Sequence, residues 1–405
     1  MDDDSGSRVT FTKKLKEATD QGAKIVDLQF VDIFGNLKFK SVTIEQFRDE
    51  NVFKGGFKID GSSIYGYGVP VEESDLLVIP DPETFTPVPW AEDVWRAICN
   101  VYHPRKTKEG YQPFEGDTRL LLANAVAKIP RVLSERIDVE GKEFGFYVAP
   151  ELEFFLLTKA GDGFCRIDDK GYFDAPPALG RTILGRIMEA MGRMGIRYEA
   201  YHKEVAPSQY EVDFRYGNAV RIADATITLK DIIRQYAQRE GLVATFMPKP
   251  FEGMNGSGMH THQNLVQVVD GKKTNLFYDT RKDDLSEIAL YFIGGLLDHA
   301  RAVTALTNPI CNSYKRLIPG WEAPVTIAWG RKNRTALIRV PFDSPASARI
   351  EYRSPDPSAN PYLAFTAMLA AGLDGIAKGT DPGKATETDL YKPGPGRKFL
   401  PGSLN

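Results

Sequence analysis

Two hydrophobic periodicities alternate along the chain, and each marks a different kind of element. Over residues 24–42, "KIVDLQFVDIFGNLKFKSV", apolar and polar side chains alternate on either side of Gly35-Asn36. That pattern predicts two strands joined by a tight turn. Residues 145–157, "GFYVAPELEFFLL", are apolar almost throughout and predict a buried strand. Helical spacing takes over in three places: Leu179, Ile183, Ile187 and Met191; Ile222, Ala225, Leu229, Ile232 and Tyr236; and Leu285, Ile288, Phe292 and Leu296. These stripes predict helices that pack one face on a core. The Pro- and Gly-rich "EGYQPFEGD" (109–117) marks a boundary, giving a small domain over 1–108 and a larger one over 109–405.

Composition narrows the function classes. A formal charge of -3 over 405 residues argues against nucleic-acid binding, which needs a basic surface. Cys99, Cys165 and Cys311 are scattered, with no CxxC spacing, as expected of a reduced, cytoplasmic protein without a zinc-thiolate site. The start "MDDDSGS" is acidic where a signal peptide is basic, and the apolar stretch "ALYFIGGLLDHARAV" is broken by Asp298, His299 and Arg301. A soluble protein with no membrane partner is expected.

Against this background the buried carboxylates stand out. Glu151 and Glu153 lie two apart on the apolar strand, so they share one face and repel. Something cationic must offset them. "HKEVAPSQYEVDFRY" (202–216) adds Glu204 and Glu211, and "SARIEYRSP" (347–355) adds Glu351 between Arg349 and Arg353. Together with the HxH of "GMNGSGMHTHQNL" (253–265), five glutamates and a histidine on strands form a plausible cluster for two hard cations, Mg²⁺ or Mn²⁺. The segment 312–341 supplies Arg316, Arg331, Arg334 and Arg339 around Glu322 in a loop bracketed by Pro and Gly. Those guanidinium groups suit an anionic substrate. No P-loop or Rossmann fingerprint occurs, so a bound nucleotide would rely on metals and arginines for its phosphates.

The segments "DGSSI" (60–64), "PELEFF" (150–155), "EVAPSQYEVDF" (204–214), "TFMPKPFEGMNGSGMHTH" (245–262), "YKRLIPGWEAPV" (314–325), "NRTALIRVP" (333–341) and "RIEYRSPDPSANPYLA" (349–364) resemble glutamine synthetase of the bacterial and archaeal type I. They occur in the family's order and span the chain from residue 24 to its end. The resemblance implies an α+β fold: a small N-terminal β-grasp-like domain and a large catalytic domain whose open antiparallel β-barrel is flanked by helices. It implies ligation of ammonia to glutamate with ATP through γ-glutamyl phosphate, in a homo-oligomer of hexameric rings, two of which pair as a dodecamer.

Carried over by motif, Glu153, Glu204 and Glu211 would hold one metal, and Glu151, His260 and Glu351 the metal at the ATP phosphates. Arg334 and Arg339 would stabilise the charge of phosphoryl transfer. Arg316, Arg353, Asn255 and Gly256 would hold glutamate. Tyr216 would stack on adenine, with His262 near the phosphates. Ammonium would be bound and deprotonated by Asp60, Ser63, Tyr172, Glu204 and Glu322, with Glu322 on a flap and Asp60 reaching the site of a neighbouring subunit.

The sequence departs from the family at Pro70, where an arginine linked to glutamine feedback is typical, so feedback is expected to be weak. It departs also at Asn264, where serine is common, and around Tyr391, whose flanks differ from the adenylylation site of the long branch. The chain stops at Asn405, where relatives continue into a helical region. Three rivals are a γ-glutamyl-amine ligase on the same scaffold, a metal-dependent amidohydrolase suggested by the HxH alone, and a non-catalytic relative. Retention of Asp60 and Glu322 favours ammonia over a bulkier amine, the amidohydrolase lacks histidines, and no metal ligand is missing.

Overall fold

The computed structural model describes residues 4–48, 52–108, 110–341, 344, 347–392 and 394–404. The chain divides into two compact units, one of Met1–Leu121 with Arg186–Arg197 and Ile227–Gln235, the other of the remaining residues. The expected boundary falls at Glu109, which lies outside the described residues.

In the first unit, helix α1 (Asp4–Asp20) precedes strands β1 (Ile25–Val31) and β2 (Leu37–Thr43), followed by β3 (Phe57–Asp60), β4 (Asp75–Pro80) and β5 (Val94–Thr107). β1 and β2 form the expected hairpin, with Val31 opposite Leu37 and Gly35 at φ 78°, a backbone state that glycine reaches without penalty. The sheet order is β2-β1-β5-β4-β3. β1 runs parallel to β5 while the other pairings along this path are antiparallel, so the sheet is mixed. Its covered face packs Val26, Leu28, Phe47, Phe85 and Trp95, with Phe85 and Trp95 rings 4.9 Å apart.

The second unit is built on a larger sheet. Its main strands are β6 (Glu143–Ala160), β7 (Tyr198–Lys203), β8 (Gln209–Phe214), β9 (Met259–Val269), β10 (Thr326–Arg331), β11 (Ala336–Val340) and β12 (Ile350–Tyr352), in the order β7-β8-β6-β9-β12-β11-β10. β6 is central, paired with β8 on one side and β9 on the other, which is why its sequence is apolar nearly end to end. The path is antiparallel except for β10 with β11, which run parallel, a local departure from the expected antiparallel barrel.

The three helical stripes fold into α2 (Ala178–Arg193), α3 (Ala219–Arg239) and α4 (Glu287–Asp298), except that Leu285, the first residue of the third stripe, lies in a two-residue strand before α4; α5 (Ala300–Thr307) and α6 (Pro361–Lys378) follow. α4 and α6 approach so closely that a Cβ on Gly295 would lie 2.1 Å from the Ala371 carbonyl. Glycine is required there by contact, not by backbone angle. Among the described residues no helix is long and apolar enough to cross a membrane.

Candidate active site

Strand register assembles the site. His202 on β7 pairs with Glu211 on β8, which pairs with Glu153 on β6. Two residues along, Asp213, Glu151 and His260 pair in the same way across β8, β6 and β9. His262 of β9 then faces Glu351 of β12, which faces Arg339 of β11. Directly opposed residues project from the same face of a sheet, so these side chains form rows across one surface. Glu204 joins them from the turn between β7 and β8 and not from a strand, which corrects the expectation of five strand-borne glutamates.

One half of the cluster is compensated by cations. Glu351 is fully buried between Arg339, whose Nε donates to Oε2, and Arg353, whose Nη1 lies 2.5 Å from Oε1. Burial alone would raise its pKa; Arg353 and His262 overcome this and hold it at about 2. Glu151 accepts from both histidines, at 3.2 Å from His260 Nδ1 and 2.7 Å from His262 Nε2. Those contacts outweigh burial and keep its pKa well below the ordinary range. The remaining imidazole nitrogens face arginines: His260 Nε2 is 3.3 Å from Arg316 Nη2, and His262 Nδ1 accepts from Arg349 Nε at 3.1 Å. A guanidinium can only donate, so it leaves the N–H of each ring for Glu151. Burial, then Arg353, lowers the His260 pKa to about 4.

The other half crowds carboxyl groups with little cationic compensation. Glu153 Oε2 accepts from Gln209 Nε2 at 2.8 Å and from the Gly258 amide at 2.9 Å. Burial, then Glu204, raises its pKa to about 8. Burial likewise raises Glu204 to about 7, and raises Glu211 well above its ordinary value with Glu151 and Glu153 adding to the effect. His202 Nδ1 lies 3.0 Å from the Lys203 carbonyl and Nε2 lies 3.1 Å from Glu211 Oε1. Since a carbonyl only accepts, Nδ1 carries hydrogen, and Nε2 is the nitrogen that faces Glu211.

These groups line a cavity of about 430 Å³ together with Tyr172, Asn255, Gly256, Trp321, Glu322 and four arginines, Arg316, Arg334, Arg339 and Arg353. Gly256 is forced by packing, because a Cβ would lie 2.1 Å from the Pro248 carbonyl. Glu322 adopts φ 58°, an unfavourable state for a residue with a side chain, and its Oε2 accepts from Asn255 Nδ2 at 3.2 Å. Tyr172 sets its ring edge-on to His202 at 5.7 Å. A second cavity of about 390 Å³ shares Glu151 and Asp213 with the first and is walled by Tyr216, His262, Asn264, Ser347 and Arg349. Its Tyr216 hydroxyl donates to Asn264 at 2.9 Å.

Of the expected residues, all those on the second unit line one of the two cavities, apart from Glu351, which lies behind Arg339 and Arg353. Asp60 and Ser63 belong to the first unit: exposed Asp60 ends β3, Ser63 closes the 3₁₀ turn that follows, and Ser63 Oγ donates to Asp60 Oδ2 at 2.6 Å. Tyr391 donates to the Ala323 carbonyl at 3.3 Å, and Pro70 precedes a short 3₁₀ turn, Val71–Glu73. His202, Asp213 and Gln209 are not among the site residues expected from the sequence. His202 stands two before Glu204 in "HKE", a spacing that could have flagged it; its opposition to Glu211 depends on register.

Residues 22–104 match the family model for the glutamine synthetase β-grasp domain, and residues 128–405 match that for the glutamine synthetase catalytic domain. Similar proteins include the glutamine synthetase of Methanocaldococcus jannaschii, 43% identical over 96% of this chain and 84% of its own. That of Thermotoga maritima is 44% identical over 95% of this chain and 86% of its own. Among solved structures, a GmaS/ADP complex aligns with a TM-score of 0.83 at 32% identity, covering 96% of this chain and 87% of that one. The small mixed sheet is thus a β-grasp domain, the larger sheet with its helices is the catalytic domain, and the chain belongs to the glutamine synthetase family of ligases.

Proposed function

We propose that the protein joins ammonia to the γ-carboxyl of L-glutamate, consuming ATP and releasing L-glutamine, ADP and phosphate through γ-glutamyl phosphate. The observation that carries this reading is a pair of cavities with a common wall. One sets rows of carboxylates against four arginines, and the other offers an aromatic face at Tyr216. The first has charges for an amino acid and for cations, the second a stacking surface for adenine, and Glu151 with Asp213 lies between them.

The donor chemistry fits divalent metals. Glu153, Glu204 and Glu211 crowd carboxyl groups that their surroundings offset only in part, and Glu151, Glu351 and His260 would form the second set. Carboxylate oxygens with a minority of imidazole suit Mg²⁺ or Mn²⁺. Such ions, when bound, neutralise phosphoryl oxygens. Arg334 and Arg339 face the same cavity and would stabilise the charge developing on the transferred group. Arg316 and Arg353 would orient the glutamate carboxylates, with Asn255 and Gly256 against its backbone. Glu204, Tyr172 and Glu322 form the anionic pocket that binds ammonium and takes a proton from it. Asp60 and Ser63 would complete that pocket in a neighbouring subunit of a hexameric ring, two rings pairing as a dodecamer in the cytoplasm.

Purified protein given ATP, Mg²⁺ and L-glutamate should form glutamine and phosphate in equal amounts when ammonium is added. Methylamine or a polyamine at the same concentration should compete poorly. Faster amide formation from either amine would reassign the protein as a γ-glutamyl-amine ligase, and absence of any ATP-dependent amide would end the ligase reading.

A further inference from the structure

Lys249 lines neither cavity, yet it ties together the two loops that carry Asn255 and Glu322. Its side chain is buried, with only 8% of the residue exposed, and Nζ donates to the Met254 carbonyl. The same ammonium stands 4.6 Å over the ring centroid of Trp321. Met254 immediately precedes Asn255, and Trp321 immediately precedes Glu322, so each partner of Lys249 lies one residue from the 3.2 Å contact between Asn255 and Glu322. The backbone at Lys249 is itself anchored: its N–H donates to Asn312 Oδ1 at 2.7 Å and its carbonyl accepts from Asn312 Nδ2 at 3.1 Å. Asn312 begins the short helix Ser313–Arg316, from which the Trp321–Glu322 segment extends. A desolvated ammonium over an indole is worth more than the same contact in water, because less water competes for it. From the other side, Arg353 Nη2 reaches the Glu322 carbonyl at 3.4 Å.

We propose that Lys249 is a positioning residue, a latch that holds the Trp321–Glu322 flap against the Asn255 loop and so keeps water from the activated substrate. The inference rests on the ligase reading above. What the latch prevents is a defined side reaction. Water adds through its oxygen to the carbonyl carbon of γ-glutamyl phosphate, the C–O bond to phosphate breaks, and the water proton leaves with phosphate or to solvent. Glutamate is regenerated and one ATP is hydrolysed without amide. Exclusion of water by a closed loop is the general means of suppressing such loss.

The test is the ratio of phosphate released to glutamine formed, measured at saturating ATP, glutamate and ammonium. Lys249→Met keeps the aliphatic stem and removes both the donor and the cation. It should lower glutamine turnover about tenfold and raise the phosphate-to-glutamine ratio from equimolar to roughly threefold or more. Lys249→Arg, which can still donate and stack, should restore equimolar coupling. A merely structural role would lower both products together. Equimolar products from Lys249→Met overturn the proposal whatever its turnover. Should that variant not fold, Trp321→Leu removes the ring alone, and equimolar products there overturn it equally. Failure of the wild-type protein to make glutamine is a separate outcome, which removes the ligase reading itself.

Discussion

The two halves of the carboxylate cluster are built from the same residue type on neighbouring strands, yet they solve opposite electrostatic problems. Glu151 and Glu351 are ionised and paired, with two imidazoles and two guanidinium groups within reach, and their pKa values fall despite burial. Glu153, Glu204 and Glu211 are equally removed from water but face chiefly one another, and burial pushes their pKa values up. The first half is complete as protein. The second holds protons that a cation would replace, which makes it the half whose stability and charge depend on metal.

The largest effect should come from neutralising one glutamate in each half. Glu351→Gln leaves Arg353 buried at 2% exposure without its carboxylate, a loss of about 3–5 kcal/mol for a broken buried pair. Its thermal midpoint in EDTA should fall accordingly. Glu211→Gln removes a carboxyl group whose ionisation burial and its neighbours oppose, so in EDTA at pH 8 its midpoint should stay level or rise. Both variants should lose roughly two orders of magnitude or more in glutamine formation. Equal destabilisation of the two variants would erase the distinction between the halves.

Much of this was legible in the sequence. The 24–42 hairpin, the central strand and three helices were readable because their apolar spacing survives in the fold without tertiary help. The acidic inventory was readable too, since Glu151 and Glu153 interrupt a run with no other polar residue. What period and composition could not specify was which residues meet. Whether His202 faces Glu211 depends on the β7–β8 register, which a turn with Ser208 at φ 64° sets. Glu204 groups in sequence with the strand-borne glutamates because it shares a segment with Glu211, and that same turn takes it out of the strand. Arg316 reaches His260 from a four-residue helix too short to leave a periodic signal.

A second, smaller effect is the pH dependence of stability without metal. Glu153 and Glu204 titrate at about 8 and about 7 against an ordinary value of 4.5. Groups raised in this way stabilise the fold fully below about 4.5 and lose that contribution as pH climbs through 7 and 8. The midpoint in EDTA should therefore fall from pH 6 to pH 9, and excess Mn²⁺ should flatten the curve by taking the place of the protons. The paired half has the opposite sign: Glu351 stabilises above the ordinary value and loses its contribution only as pH falls through about 2. It contributes no slope between pH 6 and 9, so Glu351→Gln should keep the EDTA slope while Glu153→Gln reduces it. A wild-type midpoint independent of pH over this range would mean that the second half is not protonated in the way its burial implies.

The smallest effect concerns the histidines, which look alike in sequence and differ in orientation. His260 and His262 have an arginine at the accepting nitrogen and turn an N–H to Glu151. His202 commits its Nδ1 hydrogen to the Lys203 carbonyl, the arrangement that leaves the other nitrogen free to donate electrons to a metal. Its Nε2 points at Glu211, and ligand atoms of His202, Glu204 and Glu211 all lie within 4.8 Å of one another. His202→Asn should therefore weaken Mn²⁺ binding by about tenfold, read by titration calorimetry. Saturating Mn²⁺ should return glutamine formation to within a few-fold of wild type, because the oxygen ligands remain. His202 also packs edge-on to Tyr172 and Phe173, so a purely structural role would lower the midpoint in EDTA and leave metal affinity alone. An unchanged Mn²⁺ affinity with a lower midpoint would return His202 to the wall of the cavity and leave the second half an all-oxygen site.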